Sequence, residues 1–492
     1  MQAPERKRII IIGAGSAGKE IAAETERKPV LGQTVCFIDD DSEKIGTDWN
    51  GIPVYGPITR AKEIIRDNSA EEVILAIPSL PKQRFREIYA LIQRCGIPEL
   101  KFLPTVSQII SGDARLILTR NINVEDLLGR TPVTIPLQES LRYLHGKRVL
   151  ITGAGGSIGS ELTRQLLYGG AQRLYLLDNC EEHLYKIQNE LQLLQSDGIG
   201  ADAKVVSVVC NLQDRDHIES LLQRLRCDII FHCAAYKHVP IMEENPVECI
   251  KNNVFGTENL VAAAKKFPVK KFVLISTDKA VEPSCTYGAS KELCEDLILQ
   301  ASDSKSDFMV VRFGNVLASS GSIVPRFKKQ IEAGGPVTLT HPDVSRYFMT
   351  IPEASSLVLR AGGMGKGGET YILDMGNPIL IRELAEQMIL YNGFEPYKDI
   401  PITVTGLREG EKLTERLYTE SETVTPTGYP KIGRLNRAPA DKPDLPSFLE
   451  KLRPICFLSD TQKEHYRNRH LLRALLKSYA PTLQDLPHEP EI

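Results

Sequence analysis

Lys147-Arg-Val-Leu-Ile-Thr-Gly-Ala-Gly-Gly-Ser-Ile-Gly159 sets the architecture expected of this chain. A short apolar run stops at glycines, which suits a buried strand entering a tight turn. Gly153, Gly156 and Gly159 let the backbone approach a pyrophosphate, with Ser157 and Ile158 in the same turn. The helix predicted over 160–168 then presents unpaired N–H groups and a positive dipole end to that anion. Leu174-Tyr-Leu-Leu-Asp178 follows as a second strand. Its terminal acid lies about 20 residues past the glycines, where a carboxylate accepts from a ribose 2′-OH and repels a 2′-phosphate. NAD is therefore the expected cofactor, ahead of NADP. The same plan occurs upstream: Arg8-Ile-Ile-Ile-Ile-Gly-Ala-Gly-Ser-Ala-Gly18, a helix over 19–27, then Val35-Cys-Phe-Ile-Asp39.

Two Rossmann-type starts predict an α/β chain of two doubly wound parallel-sheet domains. Glu72-Val-Ile-Leu-Ala-Ile-Pro78 extends the first, with an amphipathic crossover helix over 82–95. Apolar runs at 204–210, 228–235, 271–276 and 308–314 extend the second in the manner of a buried parallel sheet. The expected layout is a nucleotide- or nucleotide-sugar-binding domain over 1–104, a linker over 105–146 and a catalytic domain over 147–420. A smaller mixed substrate lobe is expected from about 315, and a Pro-rich tail over 421–492, helical over 461–476.

Composition narrows the class. A length of 492 residues suggests about three folding units at about 150 residues each. Hydrophobic residues at 42% and charged residues at 25% exclude a disordered or membrane-embedded chain. With 60 Lys+Arg against 63 Asp+Glu, no global field draws nucleic acid or anionic lipid. The ten cysteines form no C-x-x-C pair and no zinc spacing, so free thiols in a reducing cytosol and no metal are expected. No window offers the roughly 18 to 20 apolar residues of a membrane span, so the chain is expected in the cytoplasm.

Ser276-Thr-Asp-Lys279 and Tyr287-Gly-Ala-Ser-Lys291 carry the chemistry. On a helix, Tyr287 and Lys291 stand one turn apart on one face. The Lys291 ammonium is expected to lower the Tyr287 pKa and make the phenol a base, and to hold the nicotinamide ribose. Asp278 and Lys279 are an acid and an amine that a plain dehydrogenase does not need. Protonating a leaving oxygen and removing a carbon proton, which together eliminate water, fits them; an exposed ion pair or loop cap is the alternative.

Seven blocks give a family resemblance: 149–162, His232-Cys-Ala-Ala-Tyr-Lys-His-Val-Pro240, Asn252-Asn-Val-Phe-Gly-Thr257, Ser276-Thr-Asp-Lys-Ala280, Arg312-Phe-Gly-Asn-Val-Leu317, Ser345-Arg-Tyr-Phe-Met-Thr350 and Gly406-Leu-Arg-Glu-Gly-Glu-Lys412. Over about 120–420 the chain resembles the CapD-type polysaccharide-biosynthesis branch of nucleotide-sugar 4,6-dehydratases, among the extended short-chain dehydrogenase/reductases. The resemblance implies a UDP-N-acetylglucosamine-like substrate. Tyr287 would take the C4-hydroxyl proton as hydride passes to NAD, with Thr277 orienting the C4 oxygen. Lys279 would take the C5 proton and Asp278 protonate O6, before hydride returns to C6. It further implies sugar-diphosphate contacts from Arg346, Arg408, Asn315 and Glu411. Cofactor contacts would come from Asn211, Leu212, Ala234, Ala235, Lys237, Asn253 and Ser276 beside Tyr287 and Lys291.

Long relatives begin with a transmembrane bundle absent here, many carry Met where Tyr287 stands, and Glu409 replaces a frequent Pro. Related enzymes pair through the helix carrying Tyr287, so a homo-oligomer is expected. Aminotransferase or glycosyltransferase partners would act downstream. Phe37-Ile-Asp-Asp-Asp41 and Asn50-Gly-Ile-Pro-Val-Tyr-Gly56 resemble the front domain of some sugar acetyltransferases, which suggests nucleotide-sugar binding for regulation or a structural role. A nucleotide-sugar 4-epimerase and a non-catalytic nucleotide-sugar sensor are the competing functions.

Overall fold

The computed structural model describes residues 6–27, 32–77, 141–317, 321–392, 394–437 and 442–485. It also describes Ser319, parts of 84–95, Glu99–Phe102 and Arg120–Asn121. The chain divides into two compact units, Met1–Thr134 with Arg326–Thr338 and Glu383–Thr403, and Ile135–Pro325 with Leu339–Arg382 and Val404–Ile492. The crossover helix expected over 82–95 and the linker over 105–146 lie largely outside the described residues.

The first unit holds a seven-stranded sheet. Its strands are β1 (Arg8–Ile12), β2 (Gln33–Ile38), β3 (Asp48–Trp49), β4 (Ile52–Tyr55), β5 (Glu72–Leu75), β6 (Glu99–Phe102) and β7 (Arg120–Asn121), in the order β3-β4-β2-β1-β5-β6-β7. β1 pairs in parallel with both β2 and β5. Strand alternation sends Ile10 and Ile12 to one core and Ile9 and Ile11 to another, all four buried. That explains an apolar run without polar alternation, since both faces are covered. α1 (Ser16–Arg27) follows β1 and buries Ile21 and Ala22 against the Ile9–Ile11 face.

In the second unit β8 (Arg148–Thr152), β9 (Arg173–Asp178), β10 (Lys204–Val209), β11 (Ile229–His232), β12 (Lys271–Thr277) and β13 (Asp307–Phe313) are parallel. β14 (Glu369–Leu373) continues the parallel run, and β15 (Thr423–Pro426) and β16 (Ile432–Asn436) close it antiparallel. The order is β10-β9-β8-β11-β12-β13-β14-β16-β15. Chain direction across the sheet reverses between β8 and β11, the crevice where doubly wound sheets bind ligands.

The stretch after 420 is built into this unit. Besides β15 and β16, it supplies α4 (Leu445–Cys456) and α5 (Arg469–Tyr479), whose Phe448, Leu452, Ile455, Leu472 and Leu476 share one core with Leu293 and Ile298. The final helix begins at Arg469, later than the helix expected over 461–476. Arg467 takes a left-handed φ of 58°, and the Asn468 side chain then caps the new helix by accepting from the Leu471 N–H.

α3 (Thr286–Ala301), the helix carrying Tyr287 and Lys291, has 16 residues of which only Gln300 is exposed. Lys442 pairs with Glu292 at 2.9 Å, and the Tyr479 hydroxyl donates to Asp296 at 2.8 Å. The C-terminal segment thus packs on this helix and pairs with two of its acids. Among the described residues, no helix is long and apolar enough to cross a membrane. All ten cysteines are unpaired.

Candidate active site

The glycine turn is dictated by close approach. Gly153 sits at a φ of +65°, and a Cβ there would lie 2.8 Å from Ala234 Cα, just past β11. A Cβ on Gly159 would meet the Gly153 carbonyl at 2.1 Å. Gly156 caps α2 (Ser157–Tyr168), so Ser157 and Ile158 form the first turn of a twelve-residue helix. Asp178, at the end of β9, accepts from the Gly155 N–H and the Cys180 N–H, both at 3.0 Å. Its carboxylate thus braces the turn.

Other residues expected at the cofactor hold backbone. Asn253 accepts from the Tyr236 N–H at 2.8 Å and donates to the Tyr236 carbonyl and to Ser290, both at 3.0 Å. It fixes the 234–237 loop, which holds Ala234, Ala235 and Lys237, to α3. Asn211 accepts from Gln213, while Leu212 lies in the core with its carbonyl bonded by Asn259. Ser276, expected at the cofactor, donates to Glu295 at 2.6 Å, so its hydroxyl is committed to the interior.

β12 runs in register with β13 out to Thr277 and Phe313, and the chain then turns at Asp278–Ala280. Asp278 is fully buried. Its Oδ1 accepts from Thr277 at 2.9 Å and from Lys279 Nζ at 3.0 Å, while its Oδ2 has no partner among the described residues. Lys279 also donates to Asn315 at 3.1 Å and lies 3.8 Å from Glu415. Burial works against its charge, but Asp278 and Glu415 outweigh it and raise the lysine pKa. Lys279 therefore rests as an ammonium.

The expected lowering of the Tyr287 pKa by Lys291 does not occur. Burial pushes the phenol up, the Asp278 charge adds to that, and a Thr277 hydrogen bond opposes it only in part. Lys291 turns its ammonium to the Ile275 carbonyl at 2.8 Å, and burial lowers its own pKa. Helical spacing places both residues on one face but does not set where the lysine head goes.

Two acids escaped the sequence reading. Glu295 stands four residues after Lys291 on the same helix, and Arg312 bonds it at 3.1 and 2.6 Å, with Arg437 on the same carboxylate. Burial alone would raise its pKa; the two arginines override that and hold it at about 2. The spacing Lys291-x-x-x-Glu295 and Arg312 at the head of a family block were the available signals. Glu415 had none: it lies beyond the last family block.

The residues expected at the sugar diphosphate divide into two kinds. Arg346 is buried, and its guanidinium donates to the carbonyls of Ser345, Lys412 and Leu413 at 2.7 to 3.0 Å and to Glu411 at 3.3 Å. Glu411 in turn accepts from Thr340 and from the Arg408 N–H. These two organise the loop; Arg346 is not a free phosphate fork. Lys412 ties the same loop to the Val281 and Glu282 carbonyls, and Ser284 ties it at the Gly410 carbonyl. That leaves the Arg408 guanidinium exposed, with no partner among the described residues. Asn315 belongs with Lys279 by its hydrogen bond.

A doubly wound sheet that sets a Thr-Asp-Lys turn beside a Tyr-x-x-x-Lys helix defines an extended short-chain dehydrogenase/reductase. A family model described as polysaccharide biosynthesis protein matches residues 149–437, and one described as CoA binding domain matches residues 4–88. The capsular polysaccharide biosynthesis protein CapD of Staphylococcus aureus is 42% identical over 88% of this chain and 72% of its own length. A Campylobacter jejuni protein named UDP-N-acetylglucosamine 4,6-dehydratase (inverting) is 30% identical over 56% of this chain and 79% of its own. The X-ray structure of Pen from Bacillus thuringiensis covers 60% of this chain and 88% of its own, at 32% identity and a TM-score of 0.54. This chain belongs to the CapD-type polysaccharide-biosynthesis family.

Proposed function

We propose that this chain is a nucleotide-sugar 4,6-dehydratase, converting UDP-N-acetylglucosamine or a close relative to the UDP-4-keto-6-deoxy sugar with NAD. One observation carries the reading: a buried carboxyl and an amine, Asp278 and Lys279, stand 3.0 Å apart with Tyr287 in the field of Asp278. A 4-epimerase, which only moves hydride at C4, needs no such pair. Eliminating water needs a proton taken from C5 and one given to O6. The name of the Campylobacter relative supports the substrate class.

The Gly153–Gly159 cradle, which side chains would fill, the start of α2 and Asp178 fit the pyrophosphate and ribose of NAD. Bound there, NAD would take up hydride from C4 and return it to C6. Because burial keeps Tyr287 protonated, its own proton moves on as it takes the C4-hydroxyl proton. Thr277 and then Asp278 Oδ1 form the path, joined at 2.9 Å. Asp278, now protonated, gives that proton to the departing O6. Lys279, once in its amine form, takes the C5 proton and returns it to C5. One proton thus leaves in the water for the one Tyr287 takes from the C4 hydroxyl, and the cofactor is not consumed. Lys291 holds the nicotinamide ribose, and Arg408 meets the sugar diphosphate, a role its free guanidinium supports.

NMR of the purified protein incubated with UDP-N-acetylglucosamine and NAD tests the reading. A new C6 methyl beside a C4 carbonyl is expected; an intact C6 hydroxymethyl group refutes it. For the first unit we propose nucleotide binding at its 13–18 turn in a regulatory role. Isothermal titration with UDP-sugars and NAD should detect a second site in a Lys291→Ala, Gly153→Val protein; a silent titration leaves a structural role.

A further inference from the structure

Among the buried carboxylates of the second unit, Glu295 and Glu415 differ in kind. Glu295 is bonded by Ser276, Arg312 and Arg437, as a carboxylate that supports a fold should be. Glu415 is 7% exposed, and no hydrogen bond reaches either of its oxygens among the described residues. Its ionic contact is Lys279, at 3.8 Å. Burying a carboxylate without hydrogen bonds destabilises a protein, so stability does not account for it.

The Lys279 ammonium instead has two acids beside it. Asp278 lies at 3.0 Å and Glu415 at 3.8 Å, with Asn315 as the third partner at 3.1 Å. We propose that Glu415 is a positioning residue for Lys279, its carboxylate holding the ammonium against Asp278 and Asn315 and so setting the pH at which Lys279 gives up its proton. The proposal rests on the dehydratase reading for its purpose: the lysine can take the C5 proton only as an amine, and the nearby carboxylate stabilises the charge that forms as it does so.

The other charges around the pair are accounted for. Asp278, Arg346 and Glu415 face Lys279; Asp278, Arg346, Lys412 and Lys279 face Glu415; the Cys285 thiol lies within range of both. Arg346 and Lys412 are tied to backbone carbonyls, which leaves Glu415 as the anion that can be neutralised without breaking a hydrogen bond.

The test has two arms on the full-length protein. In the first, the Lys279 Nζ resonance of ¹⁵N-lysine-labelled protein, assigned by its loss in Lys279→Ala, is followed against pH. Glu415→Gln is expected to lower the midpoint, giving about tenfold more amine at a given pH. Glu415→Asp, which keeps the charge but retracts it, should fall between Gln and wild type. Midpoints that coincide with wild type in both variants overturn the proposal. In the second arm, the rising limb of dehydration rate against pH moves to lower pH in Glu415→Gln while KM for UDP-N-acetylglucosamine holds. A limb that stays put also overturns it. Wild-type protein that dehydrates no UDP-sugar would defeat the dehydratase reading, and the NMR arm would still decide the role of Glu415.

Discussion

The two glycine-rich turns of this chain are near copies in structure and differ in the side chains that their units set at a later strand end. In the first, Asp39 accepts from the Ala14 N–H at 2.7 Å, and a Cβ on Gly18 would lie 2.0 Å from the Gly13 carbonyl. In the second, Asp178 accepts from the Gly155 N–H at 3.0 Å, and a Cβ on Gly159 would lie 2.1 Å from the Gly153 carbonyl. Each acid at the end of the neighbouring strand clamps a turn whose glycines admit strand and helix to one another. Only the second unit then places Thr277, Asp278 and Lys279 at the end of a later strand, with Tyr287 on the helix that follows. A glycine turn clamped by an acid is therefore a scaffold shared by both units, and the chemistry proposed for this chain belongs to a strand end of one of them.

Lys279→Ala should break the symmetry most. Dehydration should fall by about 10³-fold or more while NAD binding, read by fluorescence titration, stays within error of wild type. A mutant that turns over at the wild-type rate removes the lysine from the mechanism.

The next effect is on acid stability. Glu295 falls from 4.5 in the unfolded chain to about 2 in the fold, since Arg312 and Arg437 overcome the effect of burial. A depressed carboxyl stabilises above its unfolded pKa and loses that contribution as pH falls through its folded one. Wild-type unfolding free energy should thus drop by about 3 kcal/mol more between pH 5 and pH 2 than that of Glu295→Gln. Equal slopes in urea titrations would rule out this source of acid lability.

Smaller and matched effects are expected at the turns. Gly18→Ala and Gly159→Ala each push a methyl into a backbone carbonyl, for a loss of about 1–3 kcal/mol in stability. Gly159→Ala should also weaken NAD binding, whereas Gly18→Ala should leave dehydration unchanged. Loss of turnover in Gly18→Ala would show that the two turns are not independent. Smallest is Asp178→Asn, expected to shift the NAD to NADP preference about tenfold toward NADP. The matching Asp39→Asn should shift nothing in turnover, and an equal response of both would erase the distinction.

The sequence made the frame legible because its determinants are local. A four-isoleucine run, glycines at fixed spacing and an acid at the next strand end each act within about 25 residues of one another, and the Tyr-Lys spacing lies within one helical turn. What it hid were the long-range partners. Arg437 reaches Glu295 across 142 residues, and Glu415 meets a lysine that no spacing rule connects to it. Burial and head-group direction were hidden too: Tyr287 and Lys291 share a face, yet one phenol is raised by desolvation and one ammonium turns to a carbonyl. Arg346 looked like a phosphate fork by residue type, and only the fold reveals three backbone carbonyls already on it. The stretch after 420 carried no motif, because its contribution is apolar packing and a hairpin of which one strand, β16, pairs with the distant β14.

The most direct measurement of the central claim tracks one hydrogen. UDP-N-acetylglucosamine deuterated at C4 is incubated with the purified protein, and the product is read by ²H NMR. Transfer of the label into a C6 methyl group is the predicted result; label that remains at C4, with C6 still carrying its hydroxyl, would contradict the account.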